Sequence, residues 1–167
     1  MKKIILITLV IVVLPMISHG AGYVLANYGN GGKVHASSYG FEFGGIFLSP
    51  YHPNGGAFSL GIGASMAKTD EHPSSGFIGK ANDGNEQEIY ASFGAEIVPA
   101  FFGVVGVGYA SQDTKTHNES DSTQTTGSGT DNFGTWMLGM RYVVKSFDIG
   151  LGYDYRRGVT ASLGVAF

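Results

Sequence analysis

The side chains that could do chemistry in this chain are a few charged residues set within apolar or glycine-rich stretches. Five carboxylates and one arginine occupy such positions: Glu42, Glu88, Glu96, Arg141, Asp148 and Asp154. Within this set we expect a structural charge cluster of Glu42, Glu96, Arg141 and Asp148, because buried charges must be paired. Two other chemistries stay open for these residues, a gated ion path and a carboxylate pair in acid–base catalysis.

A second candidate for chemistry is a histidine two residues before a serine, His35 and Ser37. Nucleophilic catalysis also needs a third group that orients the base, and the sequence supplies no such constellation. We therefore assign no catalytic residue. His72 and His117 each lie near carboxylates, but without the regular spacing of metal ligands. We expect solvated loops there, with no metal and no cofactor.

The elements that must position these residues are strands, because apolar and small residues alternate with a period of two. The alternation recurs in eight segments: 23–28, 38–47, 58–66, 88–97, 101–110, 135–142, 147–155 and 159–167. Successive side chains of a strand point to opposite faces, so each segment has one apolar face and one small or charged face. Only in the first segment is the assignment of the two faces ambiguous.

The small face distinguishes a water-soluble sandwich from a membrane barrel. A soluble sheet would carry many Lys, Glu, Arg and Thr residues on its solvent face, whereas this face is chiefly Gly, Ser and Ala. Small residues suit the cramped interior of a narrow barrel, and the large apolar ones then face lipid. The predicted fold is all-β, an eight-stranded antiparallel up-and-down transmembrane β-barrel with no transmembrane helix after residue 20.

The connections between the predicted strands are unequal. Short turns fall at 99–100 and 144–146, whereas 69–85 and 113–130 are long and polar. Counting from a periplasmic N-terminus places the short turns on the periplasmic side and the long stretches outside, as in bacterial outer-membrane barrels. The composition of the long stretches favours mobile loops that do not pack.

Residues 1–20 have the layout of a secretory signal peptide. Lys2 and Lys3 precede an apolar run over 4–14, and Ser18 and Gly20 are the small residues before a cleavage site. We expect cleavage to leave an exported barrel domain over 21–167. Ten Lys and Arg against thirteen Asp and Glu argue against a nucleic-acid partner, and the absence of cysteine excludes disulfides and thiolate metal sites.

Taken together, the eight segments, the signal peptide and the last strand resemble the small OmpA/OmpX-type outer-membrane barrels. In that family a terminal aromatic residue and alternating apolar residues form the assembly signal read by the barrel-assembly machinery, and Leu163, Val165 and Phe167 match it. The resemblance implies the outer membrane of a Gram-negative bacterium, with lipid, lipopolysaccharide and the assembly machinery as partners. It is specific for location, since such barrels host unrelated activities.

The expected function is non-enzymatic: membrane integrity, or interaction with a surface ligand through loops 69–85 and 113–130. One alternative is a lipid-A-modifying hydrolase or acyltransferase, since the deacylase and palmitoyltransferase families share this architecture. The deacylases pair a His and a Ser on a lipid-facing strand, but Ser38 and Tyr39 follow Ser37 where that family would have an Asn. The other alternative is a narrow transporter of small or apolar molecules.

Overall fold

The computed structural model describes residues 21–48, 56–70, 79–117 and 127–167. These residues form eight strands: β1 (Ala21–Gly31), β2 (Ala36–Leu48), β3 (Ala57–Asp70), β4 (Gly79–Val98), β5 (Phe101–His117), β6 (Gly127–Val144), β7 (Phe147–Asp154) and β8 (Gly158–Ala166). Each strand pairs with its sequence neighbours, and β1 pairs with β8 to close the barrel. The predicted all-β, eight-stranded antiparallel architecture is confirmed. None of the described residues forms a helix long and apolar enough to cross a membrane.

Closure depends on β1, the strand with the weakest sequence signal. Its register with β8 runs from Tyr23 opposite Ala166 to Asn30 opposite Val159. Beyond the ladder, the amides of Gly22 and Phe167 each donate to the other residue's carbonyl, at 2.7 and 2.8 Å. Because a closed barrel has no free sheet edge within its wall, the pairing of β1 with β8 is the contact that closes this barrel.

The two faces of β1 do not follow the main pattern of the other strands, in which large apolar side chains point outward. Tyr23 and Leu25 point into the lumen and are fully buried, whereas Val24 points outward. Tyr23, Leu25 and Ala166 form the apolar cluster of the interior. Large residues inside and a valine outside blur the alternation, which is why the sequence left this strand ambiguous.

The seven other strands present most of their large apolar side chains outward, as predicted, although Tyr90, Phe102 and Val104 are buried. Val107, Leu151 and Val159 are 69%, 66% and 65% exposed, while the positions beside them carry glycine or threonine. Glycine is required where the lumen is tightest: a Cβ on Gly61 would lie 2.1 Å from the Tyr23 hydroxyl. The polarity of the barrel is therefore inverted relative to a protein folded in water.

Two parts of the barrel wall differ in height. Strands β4, β5 and β6, which we call the long wall, contain 20, 17 and 18 residues, whereas β7 and β8 of the short wall contain 8 and 9. The extra length lies at one end, which we call the extended end. The other end, the terminal end, holds residues 21 and 167 and the turns at 99–100 and 145–146.

The expectation of long loops over 69–85 and 113–130 is wrong for about half of their length. Residues 79–85, 113–117 and 127–130 are strand, with Gly79 paired to His117 and Thr116 paired to Gly127. The parts at 71–78 and 118–126 lie outside the described residues. Polar composition is typical of loops, but each of these strands has a neighbour whose backbone completes its hydrogen bonds, so polar residues extend the sheet.

Candidate functional site in the barrel lumen

The first group of charged side chains in the lumen, the Arg141 cluster, comprises Tyr23, Glu42, Ser92, Arg141 and Asp148. Arg141 Nε donates to Asp148 Oδ1 at 3.1 Å, and its Nη2 donates to the other carboxylate oxygen. This two-bond pairing is the strongest geometry for an arginine and a carboxylate. Both side chains are buried, and Asp148 has no exposed surface.

The remaining members of the Arg141 cluster hold Glu42 beside the arginine. The Tyr23 hydroxyl and Ser92 Oγ both donate to Glu42 Oε1 at 2.7 Å. Arg141 Nη1 lies 3.6 Å from the same oxygen, close enough for attraction but beyond a hydrogen bond. The guanidinium carbon is 3.9 Å from the centre of the Tyr23 ring, which gives a cation–π contact.

A second group, the Arg157 cluster, lies toward the extended end and comprises Glu86, Glu88, Asp154, Arg156 and Arg157. Arg157 pairs with Glu88 at 2.9 Å and with Asp154 at 3.2 Å, while Arg156 pairs with Glu86. All five residues are at most 5% exposed. The arrangement joins β4 to the turn between β7 and β8 across the lumen.

The turn at 155–157 is folded inward, and this brings two consecutive arginines into the barrel. Asp154 Oδ1 accepts from the backbone amides of Arg156 and Arg157, at 2.8 and 2.9 Å. The Arg156 carbonyl in turn accepts from the amide of Val34 in the β1–β2 turn, at 3.0 Å. Gly158, with φ +74°, packs against the neighbouring turn so closely that a Cβ there would lie 2.4 Å from backbone.

The structure brings together three of the four residues predicted to form a cluster: Glu42, Arg141 and Asp148. The placement of Glu96 with them is wrong. Its carboxylate accepts from the amides of Ala57 and Ala100, at 2.8 and 2.7 Å, and so ties down the turns of the terminal end. Glu96 occupies an inward-facing position of β4, but it lies near the end of that strand. The backbone amides of Ala57 and Ala100 are therefore nearer to its carboxylate than any arginine side chain is.

Sequence reasoning missed Arg156, Arg157 and Glu86 as lumen residues. The two arginines lie between the alternating segments 147–155 and 159–167, and Glu86 lies between the stretch 69–85 and the segment 88–97. Charge balance is the signal that could have found them, since one arginine cannot neutralise the carboxylates of inward parity. The described residues hold five buried carboxylates and three buried arginines in the lumen.

The lumen geometry supports an ion-paired plug. Each arginine lies against a carboxylate and also over an aromatic ring, with Arg156 above Phe133 at 4.3 Å and Arg157 above Tyr90 at 5.0 Å. Asn27 links this region to β1 by donating to the Tyr90 hydroxyl at 2.6 Å. Side chains therefore fill the space that an eight-stranded barrel leaves inside.

In the described part of the chain no hydrogen bond joins His35 to Ser37. Ser37 Oγ is hydrogen-bonded to the Tyr28 hydroxyl at 3.0 Å, and His35 sits in a turn with φ +52°. Within the described ranges no three His, Asp or Glu residues are placed to hold a metal ion. His72 lies outside those ranges.

Three alternate residues at the end of the chain face outward. Leu163 and Val165, on β8, and Phe167, directly after it, are 61%, 48% and 70% exposed. Aromatic rings cluster at the same end, with Phe47 and Phe58 stacked at 5.3 Å and Phe101 and Tyr142 also at 5.3 Å. At the opposite end of the outer wall Trp136 stacks with Tyr155 at 6.0 Å.

Solved structures of similar fold include two outer-membrane barrels. The N-terminal β-barrel domain of Pseudomonas aeruginosa OprF matches with a TM-score of 0.52 and 16% identity, covering 89% of this chain and 98% of that domain. Ail, the attachment invasion locus protein of Yersinia pestis, solved with the heparin analogue sucrose octasulfate, matches with a TM-score of 0.50 and 12% identity, covering 89% and 96%.

Comparisons at the level of sequence give no match. No family model matches the chain, and no curated protein does so. The likeness to OprF and Ail therefore concerns the fold, and at that level the resemblance to small outer-membrane barrels predicted from the sequence is confirmed.

Proposed function

We propose that this chain is an integral outer-membrane barrel with a non-enzymatic role in membrane integrity or surface interaction. The observation that carries the proposal is the inverted polarity of the wall, with large apolar side chains outside and charges inside. In water a continuous belt of exposed apolar side chains would drive aggregation. In a bilayer the same belt is the solvated surface.

The height of the short wall supports a membrane location. Strands of 8 and 9 residues, at about 3.3 Å per residue and a tilt of about 40°, rise roughly 20–23 Å. The apolar band of outer-membrane barrels is about 25 Å tall. The short wall thus matches the bilayer, while the strands of the long wall extend well beyond it.

The aromatic pairs support the same location. Phe47, Phe58, Phe101 and Tyr142 lie near the terminal end, and Trp136 and Tyr155 lie near the other limit of the apolar belt. Aromatic girdles at both interfaces are typical of transmembrane barrels.

Export and assembly belong to the same proposal. Residues 1–20 act as the signal peptide and leave a mature domain that begins at Ala21. Leu163 and Val165, exposed on the outer side of β8, and Phe167, directly after it, serve as the signal for the barrel-assembly machinery. Lipid and lipopolysaccharide then surround the apolar belt.

The extended end is the part of the molecule that we propose for surface interaction. Its described part carries ion pairs between Lys80 and Asp131 and between Lys115 and Asp83, at 2.8 and 2.7 Å. Segments 69–85 and 113–130 together hold two lysines and six carboxylates. Ail was solved with a sulfated sugar, but the acidic excess in this chain favours a neutral or cationic partner over a polyanion.

The location is tested by fractionating cells that express the full chain. We expect it in membranes after a urea wash, with an N-terminus at Ala21, and with a gel mobility that changes between unheated and boiled samples. Recovery as a soluble periplasmic protein would overturn the proposal.

The non-enzymatic role is tested by comparing cells with and without the chain. Membrane integrity predicts greater sensitivity to detergents in its absence, whereas surface interaction predicts loss of adhesion to a host or bacterial surface. In both cases the masses of lipid A stay unchanged. A gained or lost acyl group in lipid A would identify an enzyme instead and overturn the proposed role.

A further inference from the structure

Three aromatic rings lie together on the outer wall where the short wall ends. The ring of Trp136 on β6 is 5.9 Å from the ring of Tyr153 and 6.0 Å from that of Tyr155, centre to centre. The Tyr155 amide donates to the Trp136 carbonyl at 3.0 Å, and beyond that bond the described part of the chain gives β6 no partner on its β7 side. We call these three rings the Trp136 shelf.

A notch lies next to the Trp136 shelf, toward the extended end. Gly134 is two residues before Trp136 on β6 and therefore on the same outward face, and a Cβ there would meet no atom within 4 Å. Tyr109 on β5 is paired with Gly134 and borders the notch on one side. On the other side the chain turns inward, since Arg156 is buried in the lumen. The notch is therefore open to the surroundings of the barrel.

The surface around the notch is uncharged. The next pair toward the extended end is Ser111 with Asn132, whose hydroxyl and amide both donate and accept hydrogen bonds. None of the outward positions over 101–111, 132–142 and 147–155, all within the described strands and turns, is Lys, Arg, His, Asp or Glu. A ligand here must be recognised by contact with aromatic rings and by neutral hydrogen bonds.

We propose that the notch and the Trp136 shelf bind the sugar headgroup of an uncharged glycolipid in the surrounding membrane. One face of a pyranose ring consists of C–H groups, which pack on the electron-rich face of an aromatic ring. The hydroxyl groups at the edge of the sugar suit the side chains of Ser111 and Asn132. The proposal rests on the membrane location proposed above.

The wall below the Trp136 shelf is the reason for choosing a lipid-linked sugar. Leu138 and Met140 continue the outward face of β6 into the apolar belt and are both exposed. A molecule with hydrocarbon chains and a sugar head therefore contacts one continuous surface, with its chains on the belt and its head at the notch. A free sugar would leave the apolar part of that surface unused.

Two phospholipid headgroups fit the notch less well. A phosphate would find no cationic side chain at the outward positions around it. A choline group is held by cation–π contacts with rings that surround it, whereas Trp136 and Tyr155 are stacked on each other with an angle of 25° between their planes. An aromatic ring that only anchors the barrel at the interface needs no notch beside it, so the role of Gly134 separates a binding site from simple anchoring.

The emission of Trp136 tests the proposal without a label, because it is the sole tryptophan of the chain. The mature chain is inserted into phosphatidylcholine vesicles that contain increasing fractions of digalactosyldiacylglycerol, and lactose is added to plain vesicles in a second series. We expect a saturable change of emission with the glycolipid and none with lactose. An equal response to lactose would show a site for free sugar, and a glycolipid response that does not saturate would show solvation by lipid. Either result overturns the proposal.

Gly134→Leu fills the notch and leaves the fluorescent side chain in place. We expect the apparent affinity for the glycolipid to fall by about tenfold or more, because the sugar loses its contact with the rings. Ser128→Leu adds the same side chain on the same face of β6, farther out along the strand, and should leave the affinity unchanged. Equal affinities of these two variants would contradict a site at the notch.

Two tyrosine variants separate the site from general anchoring at the interface. Tyr109 and Tyr39 are both exposed on the outer wall, but only Tyr109 borders the notch. Tyr109→Ala should weaken the glycolipid response and Tyr39→Ala should not, and equal losses would overturn the proposal. A chain that does not insert, shown by an unchanged gel mobility on boiling, would fail the membrane location and the site together. An inserted barrel without the saturable response would fail the site alone.

Discussion

The two charge clusters in the lumen are built from different kinds of element. Asp148 and Arg141 lie on the adjacent strands β7 and β6, so the barrel wall itself sets their positions. Arg156 and Arg157 come from a turn that folds inward and is held there by Asp154. The Arg141 cluster is therefore built from strands of the sheet, whereas the Arg157 cluster takes its two arginines from a turn at the rim of the barrel.

The difference extends to how many partners each charge has. For Asp148, Arg141 is the donor of both hydrogen bonds that hold the carboxylate. In the Arg157 cluster, Asp154 also accepts from two backbone amides, and Glu88 accepts from Ser65 at 3.0 Å. Loss of Arg141 should therefore leave its carboxylate partner with fewer hydrogen-bond donors than loss of Arg157 leaves to Glu88 and Asp154.

The largest effect is expected for Arg141→Ala. The change leaves Asp148 buried without its arginine, and breaking a buried ion pair in this way costs about 3–5 kcal/mol. We expect the free energy of unfolding, measured by urea titration in lipid vesicles, to fall by that amount.

A double variant separates the loss of the pair from the loss of packing. Adding Asp148→Asn to Arg141→Ala removes the orphaned charge and should recover more than half of the lost stability. Equal stability of the single and double variants would show that the charge of Asp148 is not what Arg141 neutralises.

A smaller effect is expected for Arg157→Ala. Glu88 and Asp154 each keep other donors, so the loss should be about 1–3 kcal/mol in the same titration. The comparison between the clusters fails if Arg157→Ala destabilises the barrel as much as Arg141→Ala does.

The difference between the two clusters also explains how much of the site the sequence could predict. Glu42, Arg141 and Asp148 lie in strands, where alternation tells which face a side chain takes, and the inward face was predicted for all three. Arg156 and Arg157 are consecutive, so alternation cannot place both inside. Their direction depends on hydrogen bonds from the turn to Asp154, which no local pattern encodes.

The fold was predicted more completely than the site because barrel closure and strand count depend on periodicity. The remaining errors are at places where a tertiary contact decides. Glu96 binds the turn amides of Ala57 and Ala100, and the polar ends of β4, β5 and β6 continue as strand because each has a neighbour to pair with.

The smallest effect is expected at the exposed ion pair of Lys80 in the extended end. The Lys80 side chain is 56% exposed and that of its partner Asp131 is 34% exposed, so water and salt weaken the ion pair. Lys80→Ala should change the free energy of unfolding by about 0–1 kcal/mol, less still in high salt. A loss as large as that of Arg157→Ala would mean that the extended end contributes to barrel stability as a buried site does.

The measurement that tests the membrane location most directly is the unfolding free energy of Leu151→Arg in lipid vesicles, with Ser128→Arg as the control. Leu151 lies in the middle of β7 and is 66% exposed, whereas Ser128 lies in the extension of β6 beyond the belt. A lipid-facing arginine near the bilayer centre costs about 2–4 kcal/mol. We predict that loss for Leu151→Arg and a change within about 0.5 kcal/mol for Ser128→Arg. An unchanged or more stable Leu151→Arg barrel, folded without lipid or detergent, would show that the apolar wall faces water.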